Sequence, residues 1–293
     1  MKTSKSGKAA FASLGIFVLI ILASCQKSLS PVKDVIAGQS TVKLYLTDDP
    51  SLVFDKVLLD IQKVEVKVED SSQESHEMEH QGESDDKDGK GDTSGGWKSV
   101  SIHPGVYDIL QFRNGLDTLF GSISFPANAE LKKIRITLGS NNSVVFGGTS
   151  FPLTVKGNDN IIVVKISESA VNFNQGSLSN IWMDVDAGRS IRKNGNTFEL
   201  RPSIKLFSKE VTGGVEGRVL PKDAKAVVMA INGTDTATAK PEDEGEFKFN
   251  GLKAGTYMFV YHATANNYKD TTVANVNVRT KEDTKLPTIT LHK

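Results

Sequence analysis

His76 and His80 enclose two glutamates in the run His76-Glu77-Met78-Glu79-His80. On a helix this spacing is one turn, so both imidazoles could face one zinc ion while Glu77 serves as general base for metal-dependent hydrolysis. Such a site also needs a third ligand downstream and a helix packed rigidly in a core. The flanks are Ser71-Ser72-Gln73-Glu74-Ser75 and Gln81-Gly82-Glu83-Ser84-Asp85-Asp86, with no apolar face to bury. Ten acidic residues and two lysines lie between Glu69 and Asp92, which reads as a solvated, disordered loop over 69–96. Its carboxylates suit calcium and its paired histidines suit zinc or copper. Ordering it would cost about 1–2 kcal/mol of backbone entropy per residue. The expectation is an acidic hairpin tip, with loose metal binding at His76 and His80, or hydrolysis there, as the alternatives.

A second carboxylate group is Asp184 and Asp186, which share one strand face with Trp182, opposite Met183 and Val185. With Asp48 and Asp49 they form a candidate calcium site. The competing reading is that strand-end and turn aspartates cap backbone N–H groups. Other chemistry is sparse. There is no Gly-x-Ser-x-Gly elbow, and His103, His262 and His292 are scattered without a nearby acid and nucleophile in sequence. Asn266-Asn267-Tyr268 is a loose glycan-binding candidate, whereas Tyr257, Phe259 and Tyr261 read as core. No catalytic residue and no cofactor are expected.

Cys25 is the only cysteine. It follows an apolar stretch from Ala9 to Ala23 that opens with Lys2, Lys5 and Lys8, the layout of an export signal over residues 1–24. The stretch falls short of the roughly 20 apolar residues of a comfortable membrane span. Leu22-Ala23-Ser24-Cys25 resembles the lipobox of bacterial lipoproteins. That resemblance implies multiple acylation (palmitate among the chains), with Cys25 as first residue of the mature protein and the lipid as the membrane contact. It also leaves no cysteine for a disulfide, a nucleophile or a zinc site. By the same resemblance, Gln26 rather than aspartate after the cysteine points to the outer membrane. Gln26-Lys27-Ser28-Leu29-Ser30 lacks the acidic export cluster of some Bacteroidetes lipoproteins, so the occupied face stays undetermined. Charges balance at 35 basic and 35 acidic residues, so no global field points to nucleic acid.

Residues 25–40 read as a flexible tether, and strands follow throughout. Val42, Leu44 and Leu46 alternate, as do Val57, Leu59 and Ile61. Val64, Val66 and Val68 alternate in the opposite phase, which predicts a β-bulge near Gln62-Lys63. Further strands are expected at Trp97–Ile102, Leu131–Leu138, Ser143–Phe146, Ile161–Ile166, Ile181–Val185 and Phe198–Leu206, with a helical or mixed segment over Asp108–Phe120. Val211-Thr212-Gly213-Gly214 reads as a seam. Beyond it, strands are expected at Val215–Val219, Ala226–Ile231, Glu246–Phe249, Thr256–His262, Thr272–Val278 and Thr288–Leu291. The fold class is all-β: two antiparallel β-sandwich or partial-barrel domains, 41–210 and 214–293, on a lipidated N-terminal tether.

Two resemblances cover most of the chain after Cys25. Val215-Glu216-Gly217-Arg218-Val219, Gly245-Glu246-Phe247-Lys248-Phe249, Leu252-Lys253-Ala254-Gly255-Thr256-Tyr257 and Thr288-Ile289-Thr290-Leu291 resemble, in order, the carboxypeptidase regulatory-like domain, a transthyretin-like sandwich grouped with carbohydrate-binding-like folds. Leu46-Thr47-Asp48-Asp49-Pro50, Tyr107-Asp108-Ile109-Leu110, Ile134-Arg135-Ile136, Asp184–Ile191 and Leu200-Arg201-Pro202-Ser203-Ile204 resemble domain of unknown function 4382, found in bacterial lipoproteins. Neither supplies a catalytic residue. The expected protein is a non-enzymatic lipoprotein of the cell envelope, a binding or structural module with a protein or glycan partner. A carbohydrate-binding accessory lipoprotein and a metal-dependent hydrolase built on His76 and His80 are the rivals.

Overall fold

A computed structural model describes residues 38–48, 54–70, 96–157, 160–167, 171, 173 and 176–293. Almost every element in them is a strand. The first sandwich sets a four-stranded sheet, in the order Ile204–Phe207, Leu178–Val185, Gln39–Thr47 and Thr118–Pro126, against a nine-stranded one. The spine of the larger sheet is the strand Lys56–Asp70. Its first half pairs with Ser143–Phe146 and Gly105–Asp108, and its second half with Trp97–Ser99. Ala129–Leu138 runs along most of it.

Two partner sets on one strand require a change of phase. The register slips between Ile61 and Lys63, where the reversal of the apolar alternation predicts a bulge. Val57, Leu59 and Ile61 before the slip and Val64, Val66 and Val68 after it all reach the core. Among the described residues no closed barrel forms. The sheets are also mixed rather than purely antiparallel, because Gln39–Thr47 runs parallel to Leu178–Val185 and Thr197–Leu200 runs parallel to Thr149–Val155. The first of these pairs lies inside its sheet and buries most of its residues, the usual setting for parallel strands.

One expected element is specified more closely and one is corrected. Asp108–Phe120 is a single 3₁₀ turn, Ile109–Phe112, followed by the start of the strand Thr118–Pro126. Asn114 and Gly115 both take positive φ and end the turn. Phe198–Leu206 is two strands in different sheets, Thr197–Leu200 and Ile204–Phe207, because Pro202 has no N–H for a ladder and the chain crosses between layers there.

The second sandwich faces Glu246–Lys253, Thr212–Leu220 and Asp283–Lys285 against Asp235–Ala239, Val227–Asn232, Gly255–His262 and Thr271–Val278. Ile289–Thr290 pairs in parallel with the end of Thr212–Leu220. Phe247, Phe249, Phe259 and Tyr261 meet edge to face and fill its thin core. Gly213 and Gly214, read from the sequence as a seam, are buried residues of a strand. A Cβ on Gly213 would lie 2.2 Å from the Arg279 carbonyl oxygen. Glycine is needed there for close backbone approach.

Candidate functional site

Cys25, Asp49, His76, Glu77 and His80, and nearly all of the acidic run over 69–96, lie outside the described residues. The other predicted carboxylates converge. Asp48, Asp184 and Asp186 line one cavity of about 120 Å³ together with Arg189, Lys205 and Lys248. It opens between the two sandwiches, which belong to one compact unit.

The local chain folding explains how the aspartates arrive there. Asp186 ends the strand Leu178–Val185 and caps the turn Ala187–Ser190, its Oδ1 accepting from Arg189 N at 2.8 Å. Asp48 reaches the same turn, where its Oδ1 accepts from Ala187 N at 3.3 Å. The turn is then tied to the Pro202 crossing. Asp186 N donates to the Ser203 carbonyl, Arg201 N to the Ser190 carbonyl, and Ser203 N to Ser190 Oγ. So Leu46–Asp48, Asp184–Ile191 and Leu200–Ile204, three distant sequence motifs, form one knot. In it Asp48 and Asp186 serve backbone N–H groups. Among the described residues, no group of three or more His, Cys, Asp or Glu side chains is arranged to hold a metal ion.

The seam is held by side chains that reach across it. Asn114 Nδ2 donates to the Lys240 carbonyl at 2.7 Å and to Glu242 Oε1 at 2.6 Å. Lys205 Nζ donates to the Gly251 carbonyl at 2.8 Å, and Arg189 Nη2 to the Thr236 carbonyl at 3.3 Å. Beside them Trp182 stacks between Tyr45 and Phe207, with Lys209 over its ring and its indole N–H given to Asp117.

The remaining candidates take structural positions. His262 Nδ1 meets Asp270 Oδ2 at 2.8 Å, an acid the sequence reading did not assign to it, and both side chains are half exposed. Hydrogen bonds from His262 and Ala263 N hold the Asp270 carboxyl below its ordinary range. Tyr268 donates to Asp223 Oδ2, and Lys293 lies over its ring. Asn266 and Asn267 are left-handed turn residues.

Sequence reading missed one charged cluster. Glu65 is buried in the large sheet, where its Oε2 accepts from Arg135 Nε and Nη2 at 2.8 Å and its Oε1 meets Lys63 Nζ at 2.6 Å. Arg135 in turn lies over Trp97, 4.1 Å from the ring centroid. Only the cross-strand register brings Arg135 opposite Glu65. Burial alone would raise the Glu65 carboxyl, but the hydrogen bonds from Lys63 and Arg135 outweigh it and hold the group below its ordinary value of 4.5. A depressed folded pKa stabilises above the unfolded pKa, and that contribution disappears as pH falls through the folded value. Glu65→Gln should therefore lower stability by about 2 kcal/mol at pH 7. In urea titrations the gap to the parent should narrow steadily once the pH drops below 4.5. An equal gap at pH 7 and at pH 2.5, about two pH units below the usual carboxylate range, would assign the loss to packing instead.

The sequence model of a family described as Domain of unknown function (DUF4382) matches residues 39–202. No curated protein matches the chain. Among solved structures, a type II cohesin–X-dockerin complex from Acetivibrio cellulolyticus is 27% identical over 27% of this chain, with a TM-score of 0.23; the chain spans 56% of its length. The minor pilin GBS52 of Streptococcus agalactiae is 12% identical, with 88% of this chain and 96% of that one covered and a TM-score of 0.21. The shaft pilin spaA of Lactobacillus rhamnosus GG is 8% identical, with 87% and 97% covered and a TM-score of 0.22. Scores this low transfer no architecture to this chain.

Proposed function

Because the chain belongs to the family described as Domain of unknown function (DUF4382), which carries no assigned activity, we propose that it is a non-enzymatic lipoprotein of the cell envelope. Lipid on Cys25 holds it at the outer membrane, and its two sandwiches form a binding or structural module for a protein or glycan partner. The observation that carries this reading is the use of the crevice carboxylates. Asp186 caps Arg189 N and Asp48 reaches Ala187 N, so the best candidate site for acid chemistry works as a joint between strands. The anchor is supported by Leu22-Ala23-Ser24-Cys25 after a basic and then apolar lead.

Cys25→Ser removes the thiol that lipid would occupy. The variant should move from the detergent phase to the aqueous phase in a partition assay on whole-cell extract, nearly completely, since no other membrane contact is proposed. Equal retention of parent and variant would overturn the anchor. A glycan array probed with the chain from Gln26 onward separates the two partner classes.

A further inference from the structure

The crevice between the sandwiches continues past the aspartates into a larger cavity of about 410 Å³. The two cavities share Arg189, Lys205, Thr236 and Ala237. The larger one has the size and the place, between two folded layers, where ligands are usually held. Its floor is apolar, made by Leu206, Leu252, Ala230 and Tyr257, all buried. Its rim carries Lys165, Arg189, Lys205 and Lys253 against one carboxylate, Asp235, whose Oδ2 accepts from Lys253 Nζ at 3.2 Å. The smaller cavity sets Asp48, Asp184 and Asp186 against Arg189, Lys205 and Lys248, so the crevice is cationic at its larger end and charge-balanced at its smaller end.

Both banks of this crevice are strand edges. Ile204–Phe207 is the last strand of its sheet, paired only with Leu178–Val185. Asp186 N donates to the Ser203 carbonyl, and the pairs Asp184–Lys205 and Trp182–Phe207 follow at two-residue steps. Antiparallel ladder bonds recur at every second residue, so Ile204 and Leu206 turn their N–H and C=O groups outward, toward the crevice. The opposite bank, Asp235–Ala239, is also a sheet edge. The Thr236 carbonyl there and the Lys240 carbonyl just past its end accept from Arg189 and Asn114 across the gap, which shows that this edge too faces inward.

From this juxtaposition we infer that the crevice binds an extended acidic peptide, which adds as a strand to the outer edge of Ile204–Phe207. Main-chain bonds to Ile204 and Leu206 supply the register, and alternate side chains fall on the Leu206–Leu252 floor and toward the rim. Lys165 meets its carboxylates at the larger end, and Lys253 turns to them from its contact with Asp235. The assignment rests on the reading of the protein as a binding module and names the partner class for it.

The test is a fluorescence-anisotropy titration of the purified full-length protein in detergent micelles. The probe is a labelled octapeptide of alternating valine and glutamate, and the controls are its valine–lysine counterpart and an analogue N-methylated at every second amide. The glutamate peptide should bind, and the other two should bind at least tenfold more weakly. The double variant Lys165→Glu with Lys253→Glu, both exposed in the fold, should weaken the glutamate peptide about tenfold, the expected size for reversing two surface ion pairs. Equal binding of acidic and basic peptides, equal binding of the N-methylated analogue, an unaffected double variant or no binding at all would each overturn the assignment. The partition assay at Cys25 is unaffected by any of these outcomes, and loss of the anchor would leave the titration readable.

Discussion

Phe198→Ala should lower the unfolding free energy by about 4 kcal/mol, the upper range for deleting a buried aromatic ring. Phe198 is 1% exposed and lies at the centre of an aromatic cluster. Phe54 meets its ring edge-on at 5.9 Å, and Phe146 and Phe151 tilt against it at 6.0 and 5.2 Å. Lys193 lies over the Phe146 ring at 4.3 Å and within 5.9 Å of Phe198. Alanine would leave a cavity the size of a ring between strands fixed by their ladders, so the surroundings can close it only in part. Each lost aromatic pairing adds about 0.5–1.5 kcal/mol beyond the area term. Chemical denaturation followed by tryptophan fluorescence would check it. A loss below about 1 kcal/mol would mean that the cluster collapses freely around the smaller residue.

Gly251→Ala should cost about 3 kcal/mol, and the cost should be relieved by trimming a residue from the other sandwich. Gly251 has φ of +68°, the left-handed region that an L-residue enters at about 1–2 kcal/mol. A Cβ there would also lie 2.7 Å from Cγ and Cδ1 of Phe207 and 2.9 Å from Cδ2. That ring is 1% exposed and stacked on Trp182 at 5.7 Å, so it has nowhere to move, and overpacking adds about 1–3 kcal/mol. Adding Phe207→Leu to Gly251→Ala should recover the overpacking part but not the backbone part. Additive losses in the double variant would show that the two residues do not couple.

The alternation of apolar residues located most strands, and even the bulge in Lys56–Asp70 was legible, because a period-two pattern that changes phase can only mean an inserted residue. Thr118–Pro126 was obscured because Leu116, Leu119 and Phe120 mimic one face of a helix, and Leu119 is in fact partly exposed. Gly213-Gly214 read as a seam, but that these glycines serve close backbone approach in the first strand of the second sandwich was not legible, because glycine signals a turn and a close approach equally well. The reading of strand-end and turn aspartates as caps of backbone N–H groups holds for Asp48 and Asp186, but which N–H Asp48 reaches was not legible. Whether a carboxylate faces a cation, a substrate or a backbone N–H depends on chain segments far away in sequence.

The sequence by itself determined the class of fold and the apolar sets that face each core, and it carries over residues 1–24 the pattern on which the export proposal rests. Those properties are local: strand period, turn residues and the run of basic, apolar and small residues act within a window of about ten to twenty positions. Only the tertiary structure decided that Gln39–Thr47 lies parallel to Leu178–Val185, that Arg135 faces Glu65, and that the strands Ile204–Phe207 and Asp235–Ala239 border one crevice. Each of these pairs elements far apart in the chain. The free energy that selects such a pairing comes from burying the apolar faces of whole sheets together, and no short stretch of the sequence contains it.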